Sequence, residues 1–113
     1  MITPPYRWCV LFLDTDDQAA VVAAVGRLLG AGSKLDVFRV PGFTVDVRPN
    51  PDETRGRHFL DWPVLVEVDA GDDVPDRDMV AFVTRLVGHL HASGLRVGAE
   101  CDFADELPPA DRR

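Results

Sequence analysis

Two short runs of β-favouring apolar residues constrain this chain more than any other feature: WCVLFL within RWCVLFLD (Arg7 to Asp14), and VLVEV within PVLVEVD (Pro63 to Asp69). The length and aromatics of the first favour a strand buried on both faces, and the second is the other strongly apolar strand; both are expected to be central in the sheet. Pro63 is tolerated at the first position of such a strand. A helix signal follows each run. TDDQ supplies Thr15, Asp16 and Asp17 as cap and first-turn acids, where the helix dipole favours negative charge. Val21, Val25 and Leu28, with Val22 and Leu29 beside them, then make one apolar stripe of about four turns, closed by Gly30. In the second half, AGDDVPDRD offers Asp72 or Asp73 as cap and Pro75 near the first turn. Met79, Val83, Leu86 and Leu90 trace the stripe, and Gly94 ends it.

Two weaker strand signals complete the pattern. KLDVFRV and FTVDVR flank Pro41-Gly42, a pair suited to the centre of a type II turn that joins two strands or kinks one. Phe43, Val45 and Val47 alternate with Thr44, Asp46 and Arg48, as in a strand with one solvated face. The segment PNPDETRGRHFLD reads as a polar loop, because Pro49 and Pro51 interrupt pairing. LRVGAECDF alternates again, with Val97, Ala99, Cys101 and Phe103 against Arg96, Gly98, Glu100 and Asp102. The order predicts one α+β domain over residues 1–113, flexible at about 1–5 and 106–113. The expected class is a ferredoxin-like split β-α-β sandwich: an antiparallel sheet of four or five strands with two helices on one face.

Charge also suggests how the first and last strands pair. Setting Asp14 opposite Arg96 brings Arg7 beside Asp102 and Cys9 opposite Cys101. Cross-strand ion pairs contribute roughly 0.2–1 kcal/mol each, enough to bias a register. Both cysteines then face the helices, and a slip of one residue would turn Cys101 away.

Several classes of function are disfavoured. The net charge is −7 and the pI about 4.7, so this surface repels phosphate and acidic lipid; neither nucleic acid nor membrane is an expected partner. MITPPYRW has no basic stretch followed by an apolar one, and a cytoplasmic setting is expected. Lys34, Ile2 and Asn50 are the single members of residue types with AT-rich codons, which suggests a GC-rich bacterial genome.

No catalytic residue, cofactor or metal site is expected. In GAECDFADELPP the pleat sends Cys101 and Asp102 to opposite faces, so the group does not converge. Two cysteines without a CxxC spacing or a nearby His are too few for structural zinc; in a reducing cytosol they are expected to be two small buried thiols, and a redox pair is conceivable only with the register above. His89 and His91 point about 200° apart on a helix, and His58 lies in the polar loop. DTDD has neither the glycine nor the closing glutamate of a calcium loop.

The least ordinary feature is the sheet face away from the helices. Parity assigns it Trp8, Val10, Phe12, Leu65 and Glu67, with Glu100 and Asp102 at its rim. An exposed apolar patch in an acidic surround suits a protein partner, including a basic one. The leading expectation is a small non-catalytic interaction module that homodimerises or binds another protein through this face; an acidic inhibitor or immunity-type protein is one example. The alternative is a ligand-sensing domain or small enzyme with a pocket between this face and the 49–62 loop, using Glu67, Asp69, Glu100 and His58. A third arrangement has the loop fold over and seal the face with Phe59, Leu60 and Trp62.

Overall fold

The computed structural model describes residues 5–51 and 58–108. The first apolar run is strand β1 (Trp8–Leu13), and the second is β4 (Val64–Ala70). Between them lie helix α1 (Gln18–Leu29) and the hairpin of β2 (Val37–Val40) and β3 (Phe43–Pro49). Helix α2 (Asp76–Ala92) and strand β5 (Val97–Glu100) follow. All neighbouring strands are antiparallel, in the order β2-β3-β4-β1-β5. The protein is thus an α+β domain with a five-stranded sheet and two helices. The fifth strand, β2, makes the order differ from that of a four-stranded split β-α-β sheet. β1 and β4 are interior, as their continuous apolar character requires.

Local chemistry sets the element ends. Asp17 caps α1, its carboxylate accepting from the Ala20 amide at 3.0 Å, and Gly30 closes the helix with φ 62°. Neither Asp72 nor Asp73 caps α2. The helix begins after Pro75, with Asp76 and Asp78 in its first turn. The carbonyls of Gly71, Asp72 and Val74 instead receive the Arg7 guanidinium, at 2.6 Å for Asp72 and 3.1 Å for Val74. Arg7 is therefore committed to the β4–α2 turn and not to Asp102. KLDVFRV does not form one strand: Lys34 and Val37 exchange backbone hydrogen bonds around a tight turn in which Leu35 (φ 53°) and Asp36 (φ 62°) are both left-handed. Asp36 is held by Gln18 Nε2 at 2.9 Å, while Leu35 is 90% exposed.

The expected register of β1 and β5 is present. Val10 pairs with Glu100 and Leu13 with Val97, and one step further the Arg96 guanidinium donates to the Asp14 carboxylate at 3.1 Å. Cys9, Leu11, Leu13, Val45, Val47, Val64, Val66, Val68 and Val97 meet the buried stripes of both helices. The C-terminal segment differs from expectation. After Glu100 the chain leaves the sheet and turns, through a 3-10 turn at Ala104–Glu106, so that Phe103 and Leu107 enter the core. Tyr6 stacks on Phe103, centroids 5.0 Å apart, and donates its hydroxyl hydrogen to Glu106 at 2.6 Å. Glu106 and Leu107 thus belong to the packed domain rather than to a loose end. The rest of the expected flexible ends, residues 1–4 and 109–113, lies outside the described residues.

Candidate functional site

The face away from the helices is built from alternate residues of four strands. Trp8 pairs with Asp69, Val10 with Glu67, and Phe12 with Leu65; on the other side of β1, Val10 pairs with Glu100 and Phe12 with Gly98. All seven expected residues except Asp102 share this face. Asp102 sits in the turn that carries Phe103 inward and is exposed there.

The face is not open throughout. Residues 58–62 form a strap whose 3-10 turn (Phe59–Asp61) crosses its upper half. Val10, Phe12, Leu65 and Trp62 form a second small core, each 5–7% exposed, with Phe59 and Leu60 against it. Val10, Phe12 and Leu65 are therefore largely covered, and only a small part of each still faces the cleft beside the strap. Burying these side chains contributes roughly 1.5–3 kcal/mol per fully buried residue, set against the entropy cost of ordering the strap. The remainder of the long loop, residues 52–57, lies outside the described residues.

Three features hold the strap. Asn50 is the single buried polar residue in the described core: its amide donates to the carbonyls of Leu60 at 2.9 Å and Trp62 at 2.8 Å. Its backbone amide donates to Pro63 O at 2.8 Å, closing the two ends of the loop. His58 caps the turn by accepting from the Leu60 amide at 3.2 Å, and its ring stacks on Phe59. Finally, Gly98 leaves the space that Phe59 occupies; a Cβ there would lie 2.3 Å from Phe59 Cγ. Gly98 and Asn50 are the residues that sequence reasoning missed. A glycine inside an alternating strand signals close approach of another group, and this one had such a reason.

Below the strap a cleft of about 640 Å³ remains. Val10, Phe12, Leu60 and Leu65 contribute its apolar lining, and Trp8, Arg48, Glu67, Asp61 and Glu100 its amphipathic and charged groups. Trp8 is 39% exposed and, with Leu35, is one of two exposed large apolar residues among those described. Glu67 is oriented from both sides: Trp8 Nε1 donates to Oε2 at 2.6 Å, and the Arg48 guanidinium to Oε1 at 2.7 Å. These bonds hold the indole edge-on to the carboxylate, with its ring at the cleft. Three acids against one arginine leave the charged lining net negative.

The polar groups expected to share a pocket are separated. Glu67 and Glu100 line the cleft, whereas His58 is spent on the strap. Asp69 lies in a smaller hollow with Arg39, Phe43 and Thr44. Its carboxyl is held above the usual range, by desolvation first and by the charge of Glu67 second, with Arg48 opposing. His89 and His91 are half-buried in the last turn of α2, away from these groups. Among the described residues no group of three or more His, Cys, Asp or Glu is placed to hold a metal ion, and no helix is long and apolar enough to cross a membrane.

Fold and site together define an α+β domain with a half-covered sheet face and an acidic, aromatic-edged cleft. Compared with known protein families, curated proteins and solved structures, the chain matches none.

Proposed function

We propose that the protein is a small non-catalytic binding module, and that it binds a protein partner by receiving a basic, partly apolar side chain in the cleft beside Trp8. The carrying observation is the cleft itself, where an exposed indole and net negative charge stand over an apolar floor. A Lys or Arg stem can cover apolar surface while its charged head meets carboxylates, and a cation over an indole is attracted by the ring quadrupole. The described lining contains no hydroxyl, thiol or imidazole, and both Glu67 oxygens are already hydrogen-bonded, so no nucleophile–base pair of the Ser–His or Cys–His kind lies in the cleft. Sheet-on-sheet homodimerisation has less support, because the strap covers Val10, Phe12 and Leu65. An inhibitor or immunity-type protein acting on a basic target is one form of this proposal, and a bacterial, cytoplasmic setting belongs to it.

The fold is read in the same way. Without β2, the succession β1-α1-β3-β4-α2-β5 is a ferredoxin-like split β-α-β core, to which β2 is an added edge strand.

Immobilised wild-type protein should capture a basic partner from lysate of its source cells at low salt and release it as salt rises. Trp8→Arg and Glu100→Arg, both surface changes, should each lose that partner at unchanged Tm. A partner held equally by both variants refutes the cleft as the site. A second reading is favoured by the cleft's size, which falls within the roughly 300–1,000 Å³ of small-molecule sites. An amphipathic organic cation would then raise Tm in the purified protein, and Glu100→Arg would abolish the rise.

A further inference from the structure

The opposite face of the sheet carries an arrangement that the cleft does not use. Asp14 N donates to Arg96 O at 3.2 Å, so this pair is of the hydrogen-bonded kind, and Phe12–Gly98 and Val10–Glu100 repeat it along the ladder. The ladder ends at Val10–Glu100, and the next residues on each side of it, Cys9 and Cys101, both turn to the core side and pack in the same apolar cluster. Residues one step from a hydrogen-bonded antiparallel pair fall where side chains approach closely, at separations a disulfide can span. Cys9 is completely buried, whereas Cys101, just past the end of β5, is half-buried and reachable from solvent. We propose that Cys9 and Cys101 are a reversible dithiol–disulfide site, with Cys101 as the attacking thiol and Cys9 as the resolving one.

Exposure sets this division of labour, because an oxidant can reach Cys101 and cannot reach Cys9. Hydrogen bonding from Cys9 holds Cys101 below the usual thiol range, with a further backbone contribution from Phe103; partial burial and the charges of Asp102 and Glu100 oppose it. Cys9 is pushed up, by its hydrogen bond to Cys101 first and by burial second. An accessible thiolate beside a resolving cysteine is the arrangement that reacts selectively with small oxidants. With a small disulfide such as oxidised glutathione, the Cys101 thiolate attacks one sulfur, forming a mixed disulfide and expelling one glutathione thiolate, which takes a proton. Cys9 then loses its proton, and its sulfur attacks that of Cys101 and releases the second glutathione. Two protein thiols are oxidised, and one glutathione disulfide is reduced to two thiols. The new bond ties β1 to the segment that carries Phe103, Glu106 and Leu107 against Tyr6 and the core.

The test uses the native chain incubated with oxidised glutathione and read by intact mass and thiol titration. The expected product has lost the mass of two hydrogens and both free thiols, carries no glutathione and reverts with dithiothreitol. Cys9→Ser should stop at one glutathione adduct on Cys101, and Cys101→Ser should remain unmodified. A stable glutathione adduct on the wild type, or two thiols that react only after denaturation, would overturn the proposal. The wild-type measurement is decisive even if a variant folds poorly.

Discussion

Gly98 offers the sharpest test of the strap. An added Cβ would stand 2.3, 2.4 and 2.6 Å from Phe59 Cγ, Cδ2 and Cβ, about 1 Å inside ordinary contact. The near atoms are the root of the ring rather than the tip of a flexible chain, so Phe59 must shift as a whole. Phe59 also packs on Phe12, with centroids 5.8 Å apart, and on Trp62 at 6.3 Å, so the shift loosens the second core. Overpacking of this kind costs about 1–3 kcal/mol, while replacing glycine in a strand returns about 0.5–1 kcal/mol. Gly98→Ala is therefore expected to destabilise by about 1–2 kcal/mol, or roughly 4–15 °C in Tm for a domain near this size. Urea unfolding followed by circular dichroism measures it, with Trp fluorescence reporting the environments of Trp8 and Trp62. The control is a double-mutant cycle: with Phe59→Gly present, which removes the Cβ at 2.6 Å as well as the ring, Gly98→Ala should cost nothing or stabilise by about 0.5 kcal/mol. An equal cost in both backgrounds, or no cost in the wild type, refutes the account of Gly98 as the seat of the strap.

Two further outcomes are expected elsewhere. Tyr6, the chain's single tyrosine, should ionise at about 12 rather than near 10, first because its hydroxyl donates to Glu106 and then through desolvation and the Glu106 charge. Since the folded value is the higher one, this contact's stabilisation is complete below the unfolded pKa and is lost as pH rises from 10 toward 12. Absorbance titration of the phenol checks the value. Glu106→Gln should bring it down toward 10, and an unchanged titration would contradict the contact. Leu35→Gly should stabilise by about 0.5–1 kcal/mol in denaturant titration, because a non-glycine left-handed residue costs roughly 1–2 kcal/mol and glycine gives back about half of that in unfolded-state freedom. A destabilised Leu35→Gly would show that the side chain makes a contact its exposure does not suggest.

The sequence made the sheet interior legible because continuous apolar character admits few positions: WCVLFL and VLVEV had to be central. The β1–β5 register was legible too, since only one pairing sets Asp14 beside Arg96 and keeps both cysteines inward. Arg7 was misassigned to Asp102 because backbone carbonyls leave no mark in a sequence, and three of them at the β4–α2 turn outcompete one exposed carboxylate. The ends of β2 and β5 were overextended for a related reason. Alternation in KLDVFRV and LRVGAECDF cannot register the left-handed turn at Leu35-Asp36 or the departure after Glu100 that buries Phe103. The site was legible by face but not by cover. Parity placed Trp8, Val10, Phe12, Leu65, Glu67 and Glu100 together. Whether the loop lay over them depended on Gly98 being empty enough to seat Phe59, a distance of tertiary origin.

The alternation of β1 also explains why the two proposed sites can be tested separately. Trp8 and Cys9 are adjacent in sequence, yet the pleat directs one to the cleft and the other to the core below the helices. Across the strand, Glu100 and Cys101 repeat that division. A disulfide at Cys9–Cys101 would therefore cross-link the same two segments that carry Trp8 and Glu100 without placing an atom in the cleft. Its influence on binding could come only through the rigidity of the β1–β5 edge, which the ladder, the Asp14–Arg96 pair and the Arg96 contact with Trp62 already secure. Oxidation is accordingly expected to change stability and to leave partner affinity nearly unaltered, whereas Trp8→Arg should do the reverse.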